Sequence, residues 1–263
     1  MRPGDENRFQ DFFEEDKYVV LKNHLYNYLL RKRAVERILA REPFDLILEV
    51  GSGISPVMTR TDRIVYSEIS VLACRTLKRL QGMGWYVVAD ATRLPFRPDA
   101  FSHAVSAEVL EHVEDDRAAL RELARVLKQN GRLILTFPHR KAYFANDDRY
   151  VKHHRRYELE EITRLLDDVQ LHVLSTQKVL GPLEKATMML AVLCFEAILK
   201  RTGTTSSQRR DRAAALHQPS TALRLLSPLF KWANLAYAVL LWFEARIVPQ
   251  RWAAVLLTIA EKR

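Results

Sequence analysis

Between Phe44 and about Arg140 the chain alternates two kinds of segment, and this alternation limits the fold more than any other feature. Five short apolar runs recur: DLILEV at 45–50, RIVYSE at 63–68, WYVVAD at 85–90, SHAVSA at 102–107 and GRLILTF at 131–137. Together they are rich in Val, Ile and Leu, and none alternates apolar with polar residues throughout. Strands of this kind are buried on both faces, as in a parallel sheet covered by helices on either side. Helical segments fall between them at Val71–Gln81 and Arg117–Lys128, and Asn130–Gly131 reads as a cap ending the second. The pattern predicts an α/β doubly wound sheet.

Helical spacing over 9–40 predicts an N-terminal cap that ends at Pro43, so the organisation starts with a cap over 1–43 and a core over 44–178. Within the core, a helix over 158–168 leads into a strand at Val169–Lys178. The final strand, Ala253–Ile259, lies in a last segment over 251–263. An insertion over 179–250 separates these two strands. It holds two apolar helices, Leu183–Leu199 and Ala222–Val248, around a polar basic linker at 200–212.

In an open α/β sheet, ligands bind at the carboxyl ends of the strands. Three strand ends here carry acids. In LEVGSG at 48–53, Glu49 precedes Gly51 and Gly53, which can bring backbone close to a ligand because neither has a Cβ. Glu68 closes the second strand, where a carboxylate can accept from both hydroxyls of a ribose, and Ile69 follows it. Asp90 closes the third strand, where a carboxylate can accept from an adenine amino group. A nicotinamide-binding Rossmann domain also has glycines followed by an acid. It lacks a reason for Asp90, and the E-x-G-x-G pattern lacks the third, helix-opening glycine.

LEVGSG, SEIS, VADATRLPF and FSHAVSAEVLEHVED together resemble the successive motifs of class I S-adenosylmethionine (SAM)-dependent methyltransferases, in particular the subgroup with a VLEHV segment after the fourth strand. The resemblance covers about 44–178 and the final strand. It implies a Rossmann-like sheet with the N-terminal helical cap and the helical insertion as additions, and S-adenosyl-L-methionine as cofactor. By the family pattern, Glu49, Gly51 and Gly53 would hold the methionine portion, Glu68 the ribose, Asp90 and the backbone at Ala91 the adenine. Ala107 and Glu108 would pack beside the sulfonium. Ser55–Pro56 and Ser102 depart from that pattern without removing a cofactor contact. DRYVKHHRRYELEEITRLL resembles a segment of members that act on saccharides, lipids or lipid-linked intermediates.

Methyl transfer from a sulfonium is a direct displacement, in which alignment of donor and acceptor supplies most of the help. A base is needed only for a hydroxyl or a protonated amine. His112, just past the fourth strand, is the first candidate; His154 and Tyr157 follow, ahead of His139 and His153. Arg155 and Arg156 would suit an anionic substrate. Cys74 and Cys194 lie far apart with no Cys/His cluster, so neither a zinc site nor a disulfide is expected.

The acceptor is expected to be a small molecule, a saccharide or a lipid-linked compound, methylated at oxygen or nitrogen. The net charge of +9 favours anionic partners. Glu184, Lys185, Arg224, Lys231 and Glu244 interrupt the apolar insertion, as in helices lying at a membrane interface, where Trp232, Trp242 and Trp252 would also sit. Peripheral membrane contact through 179–250 is one reading, and a lid or homodimer surface is the other. The polar, acidic N-terminus reads as no secretory signal, so the expected place is the cytoplasm, with a station on the inner face of the membrane. RNA methylation is the alternative activity, although no nucleic-acid-binding module is visible. A non-catalytic, SAM-binding partner protein at a membrane is the alternative class.

Overall fold

The computed structural model describes residues 23–202 and 221–263. Seven strands form one sheet in the order β3-β2-β1-β4-β5-β7-β6. They are β1 Ile47–Val50, β2 Ile64–Glu68, β3 Trp85–Val88, β4 Phe101–Ala107, β5 Leu127–Pro138, β6 Leu171–Leu180 and β7 Val255–Lys262. The first five run parallel, while β7 runs antiparallel to both β5 and β6. The helices are α1 Tyr26–Leu39, α2 Val71–Gln81, α3 Asp116–Val126, α4 Asn146–Tyr150, α5 Leu159–Asp167, α6 Pro182–Thr202 and α7 Thr221–Ile247. The order is that of a Rossmann-like α/β sheet, as the alternating runs predict. The outer part of the expected N-terminal helix and most of the 200–212 linker lie outside the described residues.

Strand residues divide between two cores by alternation. Leu48, Val65, Leu133 and Leu135 face one core with α3 and α5; Ile47, Tyr66, Val105 and Ile134 face the other with α1, α2 and α7. Central β1 is buried throughout, which its ILEV sequence allows because β2 and β4 take up its backbone groups. Local signals fix the helix ends. The Ser70 side chain accepts from Ala73 N at 3.2 Å to start α2, and Gly82 ends it in the left-handed region. Asp115 accepts from Ala118 N at 2.9 Å to start α3.

Three boundaries differ from the sequence reading. Helix α3 stops at Val126, and Asn130–Gly131 is a kink inside β5, not a helix cap. Fully buried Leu127 already pairs with Phe101, and the register slips before His103 meets Arg132. Burial therefore outweighs the capping preference of Asn-Gly. Strand β6 begins at Leu171 because Val169 and Gln170 form the turn that leaves α5. Strand β7 begins at Val255, after a short 3-10 turn at Gln250–Trp252.

Helix α1 packs against α7 and β6. It is strapped across the loop after β1: the Tyr28 hydroxyl donates to Pro56 O at 2.8 Å and Lys32 Nζ to Thr59 Oγ1 at 2.5 Å.

Candidate active site

The carboxyl ends of β1, β2 and β4 lie side by side, with Val50 in register with Ser67 on one flank and Ser106 on the other. At this edge the chain turns sharply. Gly51 and Gly53 have φ of +69° and +53°. A Cβ on Gly51 would lie 2.5 Å from a Val109 methyl, so the loop and the segment after β4 touch only because this residue is glycine. Glu108, just before Val109, also has a positive φ of 57°, a conformation a non-glycine residue adopts at a cost.

The acids behave differently from one another. Both Glu68 oxygens accept backbone N–H groups, from Gly53 and from Ser70, each at 2.9 Å. A carboxylate has about four acceptor positions, enough to take the hydroxyls of a ribose as well as these amides. Asp90 is exposed, and its Oδ1 accepts from the Thr92 amide and hydroxyl, both at 2.8 Å. Ile69 is 42% exposed beside these acids and offers an apolar face to a base, and half-buried Ala91 adjoins it. Glu49 instead points to the far side of its strand. It accepts from Val57 N at 2.7 Å and Met58 N at 3.1 Å, and full burial pushes its pKa up to about 8. Its position shapes the loop after Gly53 from behind.

The glycine-loop amides also differ from expectation. Gly51 N–H donates to Ser67 O at 2.8 Å and Gly53 N–H to Glu68. At this edge the buried hydroxyls of Ser52, Ser67 and Ser106, together with that of Ser55, have no hydrogen-bond partner. Orphaned hydroxyls along a strand-end row, a turn that excludes any Cβ and two acids at adjoining strand ends fit a nucleoside cofactor with a polar tail.

Half-buried Ala107 ends β4, and beyond it lies a cluster of charged residues. Arg31 of α1 pairs with Glu108 at 3.3 Å, and Thr136 Oγ1 donates to the same carboxylate at 3.2 Å. Glu184 and Lys185 of α6 are buried here and do not face an interface as the sequence reading expects. Lys185 Nζ donates to Asp147 at 2.6 Å and to Asp148 at 2.6 Å. Burial raises Glu184 to about 7, against the pull of Arg31 and Arg156. His112 ends the 3-10 turn Leu110–His112, and its ring meets that of His153 edge to face at 4.6 Å. His154 is exposed on the adjoining segment, and its backbone N–H donates to Glu111 O at 2.8 Å.

Other expected site residues are structural. Tyr157 is fully buried, and its hydroxyl donates to Asp116 Oδ2 at 2.8 Å and approaches Leu110 O at 3.2 Å. Burial, with Asp116 beside it, holds the phenol far above its ordinary range, so it is no base near neutral pH. Arg155 bonds Asp116 and the Glu114 carbonyl, while buried Arg156 bonds Asp148 and the carbonyls of His139 and Ala254. Both guanidinium groups are used inside the fold. His139 is buried, with Nδ1 2.9 Å from Ala253 O.

The family model described as "Methyltransferase domain" matches residues 48–135, the segment from the glycine loop through β5 that builds this edge. Residues 48–135 are a class I SAM-dependent methyltransferase domain. Among curated relatives, a demethylmenaquinone methyltransferase of Mycolicibacterium paratuberculosis is 49% identical over 110 residues, covering 40% of this chain and 46% of the relative. A demethylmenaquinone methyltransferase of Thermotoga maritima is 35% identical over 112 residues, covering 40% and 48%. The chain thus spans about half the length of the curated relatives it matches. A Galdieria sulphuraria protein named for sarcosine dimethylglycine methylation aligns with a TM-score of 0.57 at 16% identity, over 89% of this chain and 86% of that one. The [4+2]-cyclase SpnF aligns with a TM-score of 0.54 at 20% identity, over 88% and 81%. The methyltransferase domain thus shares its fold with a protein named for different chemistry, so the activity has to be argued from its site.

Proposed function

We propose that this chain transfers a methyl group from SAM to oxygen or nitrogen of a small, largely apolar or lipid-linked acceptor. The observation that carries this reading is the row of cofactor-facing groups on the carboxyl edge: the Gly51–Gly53 turn, Glu68 oriented by two loop amides, Ile69 and Asp90. Glu68 and the Ser70 turn would hold the ribose, Asp90 and Ala91 the adenine, and the loop behind which Glu49 sits the methionine portion. When bound, SAM supplies a methyl group already activated by its sulfonium. The chain's own work is alignment and exclusion of water, with α1 strapped over the loop and Arg31 closing on Glu108. His112, near the end of β4, would take a proton from a hydroxyl or ammonium acceptor, and His154 is the second choice.

The relatives named for demethylmenaquinone support an apolar acceptor. So does α7, whose outer face leaves Leu229, Trp232, Leu240, Phe243 and Ile247 about half or more exposed. Among the described residues no helix is long and apolar enough to cross a membrane. The face therefore suits a helix lying in the surface of an anionic bilayer, on the cytoplasmic side, where the net positive charge would add attraction. The test uses purified protein, methyl-labelled SAM and a total extract of the source cells, partitioned between organic and aqueous phases. Label in the organic phase supports the reading. Label confined to the aqueous phase refutes the apolar acceptor and makes the α7 face a lid or a dimer surface. Absence of transfer, with SAM still bound, supports the non-catalytic partner instead.

A further inference from the structure

We propose that Glu111, His112 and His153 form a site for a divalent transition-metal ion at the end of β4, with zinc the best chemical match. The three groups come from two segments far apart in sequence, and one ligand atom from each lies within 4.8 Å of the others. Glu111 has no solvent exposure, and neither carboxylate oxygen has a hydrogen-bond partner. A carboxylate removed from water without a hydrogen bond is among the costliest groups a fold can carry, and a fold relieves that cost either by protonating the group or by holding a cation against it. The nearest ring nitrogen is His153 Nε2, 3.7 Å from Glu111 Oε1.

The surroundings of His153 are those of a metal ligand. Its Nδ1 lies 2.9 Å from Asp148 Oδ1. Asp148 also accepts from Arg156 Nε at 2.8 Å, Lys185 Nζ at 2.6 Å and Ala145 N at 3.0 Å. So cationic a neighbourhood keeps Asp148 ionised, and an ionised acceptor assigns the proton to Nδ1. In the neutral ring the lone pair is then on Nε2, which lies on the Glu111 side. Carboxylate–histidine pairs fix the tautomer of metal-bound imidazoles in this way. The backbone holds the two segments together: His154 N donates to Glu111 O at 2.8 Å and His153 N to Asp148 O at 2.9 Å.

Two imidazoles and one carboxylate suit zinc and its first-row neighbours, and three protein ligands leave a fourth position open. Tetrahedral bonds of about 2.0–2.2 Å bring ligand atoms to roughly 3.3 Å apart, so the ion would draw these groups together by about an ångström. Two of the ligands lie on the 3-10 turn Leu110–His112 that follows Glu108, in the segment after β4 where the methyltransferase reading puts the methyl group. Resting on the methyltransferase reading, this placement lets the ion bind the acceptor through a hydroxyl oxygen and lower its pKa. With the ion in place His112 is a ligand and no longer the base, so the hydroxyl proton leaves to water, the oxygen bonds to the methyl carbon, and the carbon–sulfur bond breaks with its electron pair going to sulfur. No other reactant is required.

The test is titration of metal-free, full-length protein with Co2+, read by ligand-field absorption, with Zn2+ as competitor. One equivalent giving the intense bands of a four-coordinate site, displaced by Zn2+, is the expected result. Glu111→Gln and His153→Gln should each weaken cobalt binding by at least about 100-fold, and Asp148→Asn by about 10–100-fold. His172→Gln, which changes a half-buried histidine 3.2 Å from Asp167, should leave it unchanged. Melting curves of the metal-free variants show which are folded, and His153→Gln serves if Glu111→Gln is not. No ligand-field band in the wild type, or wild-type affinity in both folded ligand variants, overturns the proposal. S-adenosylhomocysteine calorimetry on the same samples separates the two readings. Cofactor binding without cobalt binding removes the metal site alone, and cobalt binding without cofactor binding removes the methyltransferase reading alone.

Discussion

Replacing Gly51 with Ala should both destabilise the protein and weaken cofactor binding, and the structure contains its own control. Gly51 and Gly82 share a φ of +69°, but a Cβ on Gly82 meets nothing within 4 Å, whereas one on Gly51 meets the Val109 methyls at 2.5 and 3.0 Å. Gly82→Ala therefore measures the left-handed backbone alone, about 1–2 kcal/mol. Gly51→Ala adds an overlap well inside the 3.5–4.0 Å optimum for carbon contacts, and overpacking of this kind costs about 1–3 kcal/mol more. The total is roughly 2–5 kcal/mol, or a Tm lower by about 4–20 °C for a chain of this size. Val109 follows the left-handed Glu108, so pushing it away displaces the end of β4 as well. S-adenosylhomocysteine affinity should fall in Gly51→Ala and hold in Gly82→Ala. Urea unfolding and calorimetry on both variants, and on the Gly51→Ala/Val109→Ala double variant, complete the cycle. The double variant should recover the overlap part of the loss, leaving the cost of truncating Val109. Equal stability losses in Gly51→Ala and Gly82→Ala, with cofactor affinity intact in both, would refute the reasoning.

Asp90→Ala should lower S-adenosylhomocysteine affinity about 10–100-fold by loss of a charged hydrogen bond, with little change in the melting curve because Asp90 is exposed. For Glu68 the informative change is Glu68→Gln, since Ala would strand the buried amides of Gly53 and Ser70; affinity unchanged in both variants would remove these residues from the cofactor site. Tyr157→Phe should cost about 1–2 kcal/mol in urea unfolding yet leave kcat unchanged, and a large fall in kcat in a folded variant would restore the phenol as a base. Burial raises the folded pKa of Glu49 to about 8, above its ordinary 4.5, so the folded state holds a proton that the unfolded chain gives up. Its stabilising contribution is complete below the unfolded value and is lost as pH rises through about 8, by on the order of a few kcal/mol; the stability of the wild type relative to Glu49→Gln should therefore fall from pH 5 to 9, and a flat difference would contradict the assignment. Trp232→Ala with Phe243→Ala should reduce co-flotation with anionic vesicles at least about tenfold, and unchanged flotation would locate membrane contact elsewhere, if anywhere.

What is legible in the sequence is what depends on neighbours along the chain. The apolar runs and the helical stretches between them foretell the sheet, and acids at successive strand ends mark the edge on which the candidate site is proposed. Side-chain partners far along the chain are not legible. Arg155, Arg156 and Tyr157 read as a basic, titratable surface because nothing local reveals that Asp116 and Asp148 take them up. Glu184 and Lys185 read as interruptions of an interfacial helix, although Lys185 is buried against Asp147 and Asp148. The acidic pair shortly before His153 is the available signal that both readings miss. The motif assigns Glu49 to the cofactor, whereas strand alternation turns it toward the core that holds Ile47 and Tyr66. The Asn130–Gly131 kink shows the same limit: a local cap signal yields to the burial of Leu127.

The antiparallel strand between β5 and β6 has a consequence for how the molecule comes to exist. Strand β5 ends at Pro138, but the neighbour that covers its free backbone edge begins only at Val255, after helices α4 to α7 and β6 have been made. Nor can β6 join the sheet without β7, its sole partner among the described strands. During synthesis, then, the nucleotide-binding half can assemble early while its sheet stays open on one side, with an apolar strand edge available to any other extended chain. Closure has to bring Val255 back to a strand that ended at Pro138, and the entropic cost of such a loop grows with its length. A cell making this protein would have its greatest exposure to misassembly in that interval, before the slot is filled.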